Sequence, residues 1–327
     1  HSPLGRASGL AATGAATTVF RNEVPGLVAE NAPHYLYWSP DSRTLAVLAS
    51  TPQGLTLFAA DTESLTDPTV IESGAPLYFH WGADGQSMLL HVADELKFLT
   101  RPFGASSGQP IDADSGFRVP ALSPDGRYMA YMGTGATSGS LLIAETGATG
   151  TARNALDIGS RAAFAWSSQG GDLAVADQQN DDAPTFNRLR VVPGDGGSIK
   201  TVAEGRIIAF YWSPNGEMLA WVGLDGGNRE FVWCAATVYG GEARELLRAQ
   251  PSHDMLVTLS FFSQYAYSHS PCAPDSSRLA LAIVRNRSKE WRNGSTPPGP
   301  RIFVVEASGS SEPVEVGAGS LAFWSWN

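Results

Sequence analysis

The chain has 327 residues, of which 43% are hydrophobic and only 17% charged, and its formal net charge is -10. That length suits two average domains or one large all-β domain, and the apolar share excludes an intrinsically disordered chain. An acidic surface repels phosphate backbones, which argues against a nucleic-acid partner, and no apolar run reaches the roughly eighteen residues that span a bilayer.

The 35 glycines and 21 prolines fit many short turns. From the N-terminus, Ser2-Pro-Leu-Gly-Arg6 reads as a turn followed by an apolar Leu10-Ala-Ala12. A fuller phrase then opens at Tyr37-Trp-Ser-Pro-Asp-Ser-Arg-Thr-Leu-Ala-Val47. It returns as His80-Trp-Gly-Ala-Asp-Gly-Gln-Ser-Met-Leu-Leu90 and Ala121-Leu-Ser-Pro-Asp-Gly-Arg-Tyr-Met-Ala-Tyr131. Further copies are Ala165-Trp-Ser-Ser-Gln-Gly-Gly-Asp-Leu-Ala-Val175 and Tyr211-Trp-Ser-Pro-Asn-Gly-Glu-Met-Leu-Ala-Trp221. A sixth, stretched copy runs from Ser268 to Leu281, and Phe323-Trp-Ser-Trp-Asn327 is a fragment of a seventh.

The anchors are Trp38, Trp81, Leu122, Trp166, Trp212, His269 and Trp324, spaced by roughly 41 to 57 residues, the period of a four-stranded propeller blade. In each phrase proline presets φ, the acidic or amide side chain bonds its own backbone, and glycine accepts a positive φ. The segments that follow, such as Leu45–Leu48 and Leu219–Val222, are continuously apolar, as expected of strands buried on both faces. Alanine holds the second position at Ala46, Ala130, Ala174, Ala220 and Ala280, where close sheet packing leaves little room.

Third strands are expected at Leu55–Phe58, Leu96–Leu99, Leu141–Ile143, Leu189–Val192, Phe231–Trp233 and Ile302–Val305, and more polar outer strands at Pro68–Ile71 and Lys200–Ala203. No helix is expected. The fold reading is an all-β, seven-bladed β-propeller, a single domain over residues 1–327. Its last blade is closed by strands from both termini, near 320–326 and 6–30, and the alternative is six blades with frayed ends.

The Trp-Ser-Pro-Asp-Gly phrase resembles the repeat of TolB-like, WD40-like propellers, also found in propellers of prolyl-oligopeptidase-type peptidases and oligogalacturonate lyases. The resemblance covers essentially the whole chain. It implies an extracytoplasmic location, periplasmic or secreted from a bacterium, and a non-catalytic role in binding a protein partner. A fold hosts many functions, so the role must rest on a site.

Three long loops are expected on one rim, opposite the Ser-Pro-Asp-Gly turns. Arg248 to about Tyr265 carries Phe261 and Phe262; Arg285–Pro300 is basic, with Arg285, Arg287 and Arg292 around Trp291; and Asp177–Thr185 is acidic through Asp177, Asp181 and Asp182. Trp and Arg are favoured interface anchors, so Trp291, Arg285, Arg287, Arg292, Phe261 and Phe262 are the candidate binding residues.

No cofactor is expected. The alternative function is a metal-dependent polysaccharide lyase or hydrolase working in the central channel, for which His80 and His269, on innermost strands, are the candidate ligands. A third reading is a permanent subunit of a membrane-associated complex. Gly104-Ala-Ser-Ser-Gly108 matches a nucleophile-elbow pattern, but that pattern works only where a strand turns into a helix, and none is expected here. The sequons at Asn286 and Asn293 fall in the basic loop. Cys234 and Cys272 allow one disulfide without demanding it.

Overall fold

The computed structural model describes residues 6–10, 16–21, 33–51, 54–63, 67–104, 108–111, 115–133, 139–148, 150–159, 161–179, 184–227, 230–284 and 299–324. The chain divides into two compact units, His1–Gly135 with Leu141–Asn154, and Ala136–Ser140 with Ala155–Asn327.

The first unit begins with an antiparallel hairpin of β1 (Arg6–Leu10) and β2 (Ala16–Arg21). A four-stranded sheet follows, of β3 (Pro33–Trp38), β4 (Thr44–Thr51), β5 (Gly54–Asp61) and β6 (Thr69–Ser73) in that order. The next is β7 (Leu77–Trp81), β8 (Ser87–Val92), β9 (Glu95–Thr100) and β10 (Gly108–Ile111). A third comprises β11 (Ser115–Leu122), β12 (Tyr128–Gly133), β13 (Gly139–Glu145) and β14 (Arg153–Ile158). The apolar run at the heart of each phrase's second strand is buried, and β8 is buried along its whole length. Ala46, Ala130, Ala174 and Ala220 are fully buried and Ala280 nearly so, which is why nothing larger occupies those positions.

In the second unit β15 (Arg161–Trp166), β16 (Asp172–Gln178), β17 (Phe186–Pro193), β18 (Lys200–Trp212), β19 (Met218–Leu224), β20 (Phe231–Thr237) and β21 (Arg244–Arg248) form one seven-stranded sheet. Two repeats are fused in it. The first half of β18 pairs with β17, Lys200 opposite Val191, and the second half with β19, Trp212 opposite Leu219. The last sheet is β22 (Gln250–Pro251), β23 (Arg278–Val284), β24 (Arg301–Glu306) and β25 (Val314–Ala318).

The repeated turns share one stereochemistry. Ser39 Oγ donates to Asp41 Oδ1 (2.5 Å) while accepting from the Thr44 amide (2.9 Å), and Asp41 Oδ1 accepts from the Arg43 amide (3.1 Å). Ser123 with Asp125, and Ser213 with Asn215, repeat the pattern. Burial pushes the Asp41 and Asp125 carboxyls up, but these hydrogen bonds and the neighbouring arginines outweigh it and hold both below the ordinary value.

The fourth turn residue sits at positive φ: Gly85 (65°), Gly126 (71°) and Gly216 (72°), but Ser42 (59°) in the first copy. A side chain in this left-handed region costs roughly 1–2 kcal/mol, more than the backbone entropy glycine adds to the unfolded chain. Ser42→Gly is therefore expected to stabilise the protein by about 0.5–1 kcal/mol, read as a rise in the urea midpoint at unchanged slope. A lower midpoint would show that Ser42 is held by something other than this turn.

The anchor tryptophans tie consecutive repeats together. Trp81 Nε1 donates to the Tyr37 carbonyl (3.2 Å) and Trp212 Nε1 to that of Ala165 (2.9 Å), in each case the residue before the preceding anchor. Trp324 Nε1 donates to the Pro271 carbonyl (2.8 Å). By the same geometry the sixth anchor is Cys272, which bridges to Leu279 as Trp212 pairs with Leu219. The anchor thus moves from His269 to Cys272, and the sixth phrase, Cys272-Ala-Pro-Asp-Ser-Ser-Arg-Leu-Ala-Leu281, is not stretched.

The expectation of no helix is overturned. α1 (His253–Ser260) and the single turn α2 (Phe262–Tyr265) lie between β22 and β23. Period-2 and repeat arguments missed them because the insertion has a different period, with Met255, Leu259 and Phe262 spaced for one helix face. Cys234 and Cys272 are free thiols, and burial, the chief cause in each, pushes them up to about 11 and about 12.

Candidate functional site

The insertion leaves the sheet immediately after β22, whose Gln250 and Pro251 pair with Val284 and Ile283. Ser252, fully buried, caps α1. Its amide donates to the Ala282 carbonyl (2.9 Å), and its Oγ accepts from the Met255 amide (3.0 Å). Asp254 in the first turn complements the helix dipole and accepts from Ser320 Oγ (2.5 Å), pinning the C-terminal segment to the helix.

The inner face of the insertion joins the core of the second unit. Met255, Leu259 and Phe262 are buried in the same cluster as Phe186, Phe210, Tyr211 and Trp233. The Phe262 ring centroid lies 4.9 Å from that of Phe210, edge-on, and 6.0 Å from that of Phe186. Tyr267 OH, further along the insertion, accepts from the Trp166 amide (2.7 Å).

The outer side mixes polar residues (His253, Asp254 and Ser260) with large apolar ones. Leu256 is 40%, Val257 41% and Phe261 55% exposed, and Leu321 and Phe323 of the C-terminal segment are exposed as well. Phe323 stacks edge-on against His269 (5.0 Å), which in turn packs against Tyr265 (5.0 Å). Burial pulls the His269 imidazole below its ordinary value, and its Nδ1 lies 2.8 Å from Ser268 Oγ. The two neighbouring phenylalanines thus divide. Phe261 faces outward, as a binding residue must, while Phe262 is only 4% exposed and is a core residue.

Trp291, Arg285, Arg287 and Arg292 lie outside the described residues, as do Asp181, Asp182, Asn286 and Asn293. Asp177 does not belong to an acidic loop: it is fully buried in β16 and paired with Arg188 and Arg190, each at 2.9 Å. The cross-strand register that places those arginines opposite it could not be read from the loop composition. Gly108 opens β10 rather than a helix, so the Gly104–Gly108 pattern is no nucleophile elbow.

His80 on β7 is 7% exposed, and its Nδ1 accepts from the Leu122 amide (3.2 Å). Burial pulls its imidazole down to about 4, so at neutral pH the ring is uncharged and one nitrogen serves a backbone amide. His80 and His269 belong to different units. Among the described residues, no three or more His, Cys, Asp or Glu side chains group closely enough to hold a metal ion. No described helix is long and apolar enough to cross a membrane.

No family model and no curated protein sequence matches the chain. Among solved structures it is similar to a prolyl endopeptidase (TM-score 0.60, 13% identity), covering 94% of this chain and 45% of that one. It is also similar to the oligogalacturonate lyase of Vibrio parahaemolyticus (TM-score 0.58, 12% identity, 89% of this chain and 77% of that one). TolB of Acinetobacter baumannii aligns with a TM-score of 0.47 at 14% identity over 87% of this chain, which spans 64% of that protein. At these identities the likeness concerns the fold alone, a β-propeller type built from antiparallel sheets.

Proposed function

We propose that the chain is a non-catalytic, extracytoplasmic β-propeller that docks a protein partner through the surface around α1. The observation that carries this reading is a helix of eight residues that buries Met255 and Leu259 yet leaves apolar side chains exposed on its outer side, between His253, Asp254 and Ser260. Met255 and Leu259 bury inward, while Leu256, Val257 and Phe261 face out beside a pinned C-terminal segment. Large apolar side chains clustered on a surface mark an interaction site, so this cluster calls for a partner. The basic loop with Trp291, Arg285, Arg287 and Arg292 follows β23, whose Ile283 and Val284 pair with the residues just before α1, and it belongs to the same proposed surface.

The same reading has seven blades, the last closed by strands from both termini. Its support is the Trp324 indole, which bonds the Pro271 carbonyl as a seventh anchor would. The extracytoplasmic compartment rests on the TolB-like repeat.

The test is a quantitative pull-down from the native host with intact protein, Phe261→Asp, and a form lacking residues 286–299. Intact protein should enrich a partner that Phe261→Asp recovers at least ~10-fold less, with an unchanged thermal midpoint because the side chain is exposed. Equal recovery by all three forms would remove the docking surface. Elemental analysis addresses the lyase or hydrolase alternative: stoichiometric manganese, zinc or calcium in the purified protein would favour it over the binding role.

A further inference from the structure

In the first unit, the sheet β7–β10 packs Leu89, Leu96 and Phe98 against Leu122, Met129 and Tyr131 of the sheet β11–β14. Phe98 follows Leu96, and Tyr131 follows Met129, by two positions, so strand alternation turns each pair to the shared side. Where the second sheet offers only Ala144 and the turn residues Gly147, Ala148 and Gly150, a cleft of about 100 Å³ stays open. Gly147 and Gly150 hold positive φ (78° and 73°), and a Cβ built on either would meet nothing within 4 Å. Gln109 and Pro110 of β10, both exposed, mark the open side, and every residue that lines the cleft is among those described.

The two walls differ in kind. Phe98, Met129 and Tyr131 supply two rings and a thioether, while the facing wall of alanines and glycines carries no side chain longer than a methyl group. An apolar cavity of roughly 150 Å³ takes a benzene ring, so this partly open slot is of the size for one six-membered ring. Aromatic and thioether groups both make favourable contacts with such a ring. One polar group belongs to the buried part of the lining. Tyr131 is only 3% exposed, and its hydroxyl has no hydrogen-bond partner among the described residues, yet the oxygen is not sealed from solvent. Burial pushes the Tyr131 pKa above its ordinary value, which keeps the hydroxyl a donor.

We propose that this cleft binds a small phenol, its ring held between Phe98, Met129 and the small turn residues and its hydroxyl bonded to that of Tyr131. An apolar slot with a single placed polar group is the usual make-up of a small-molecule site. The aromatic lining selects a ring, and the Tyr131 hydroxyl selects a ring that carries a hydrogen-bonding group. This proposal uses none of the α1 surface and stands or falls independently of the docking reading.

The probes are phenol, toluene and cyclohexanol, titrated into the intact protein and followed by ligand-observed NMR. Phenol should saturate at one molecule per chain and raise the thermal midpoint. Cyclohexanol keeps the hydroxyl but loses the aromatic ring, and should bind at least ~3-fold more weakly. Tyr131→Phe preserves the ring that lines the slot; it should weaken phenol ~3–10-fold and leave toluene unchanged. Ala148→Leu fills the slot from a half-buried turn position and should reduce binding of phenol and toluene at least ~10-fold. If that variant fails to fold, Ala152→Leu, at an exposed position of the same lining, provides the comparison. The site would be overturned by an absence of saturable phenol binding, or by cyclohexanol binding as tightly as phenol. Full phenol affinity in Tyr131→Phe or in the folded slot-filling variant would overturn it equally.

Discussion

Phe262→Ala is expected to cost about 3–5 kcal/mol of folding stability, whereas Phe261→Ala beside it should change stability by less than about 0.5 kcal/mol. The two side chains differ by one position in the chain and by 4% against 55% in exposure. Removing the Phe262 ring deletes its edge-on contacts with Phe186, Phe210 and Tyr211 and leaves a cavity that rigid strands cannot collapse to fill. Phe261 gives up little, because most of its ring is already in water. Urea denaturation of both variants decides the matter. A loss below about 1 kcal/mol for Phe262→Ala would mean that the insertion rests on the sheets without belonging to their core.

The second large effect is on pH. His80 has a folded-state pKa near 4 because burial disfavours its charged form, against an ordinary 6.5. A base whose folded pKa is depressed leaves the unfolded chain binding more protons between the two values. Its contribution is therefore fully present above pH 6.5 and is lost as pH falls from there towards 4. From pH 7.5 to 5 the expected loss is about 2 kcal/mol, an upper figure because it assigns the whole shift to folding. His80→Gln removes the titrating group and offers an amide oxygen in place of Nδ1 as acceptor for the Leu122 amide. It should start less stable at pH 7.5 yet lose distinctly less on acidification. Parallel pH profiles for the two proteins would place the sensitivity elsewhere.

Much of the fold was legible in the sequence because repetition amplifies weak local signals. One Ser-Pro-Asp-Gly turn says little, but several at a regular period place every neighbouring strand, and the third strands at Leu96–Leu99 and Leu189–Val192 fall within β9 and β17. The reading slipped where the period broke. His269 looked like an anchor because the helical insertion displaced the expected count, and only the Cys272–Leu279 bridge restores the register.

The candidate site was harder to read, for a different reason. Adjacent phenylalanines carry no label for burial in a loop, and it took a helix of defined rotation to send Phe262 inward and Phe261 outward. Asp177, Arg188 and Arg190 are separated in the chain by the turn between β16 and β17, and their meeting depends on strand register. Charge composition alone made Asp177 look solvated.

β18 runs unbroken from Lys200 to Trp212 through Gly205, whose φ is 132°. No separate linker stands between the repeat it finishes and the repeat it begins. β17 pairs with β18 up to Ile207 and β19 from Ile207 onward, so the two pairings meet on one strand and these two repeats are expected to gain and lose order together. Evolution is held to the same constraint: inserted residues that a turn would absorb would here throw the register of both pairings, which makes this joint a seam closed to decoration.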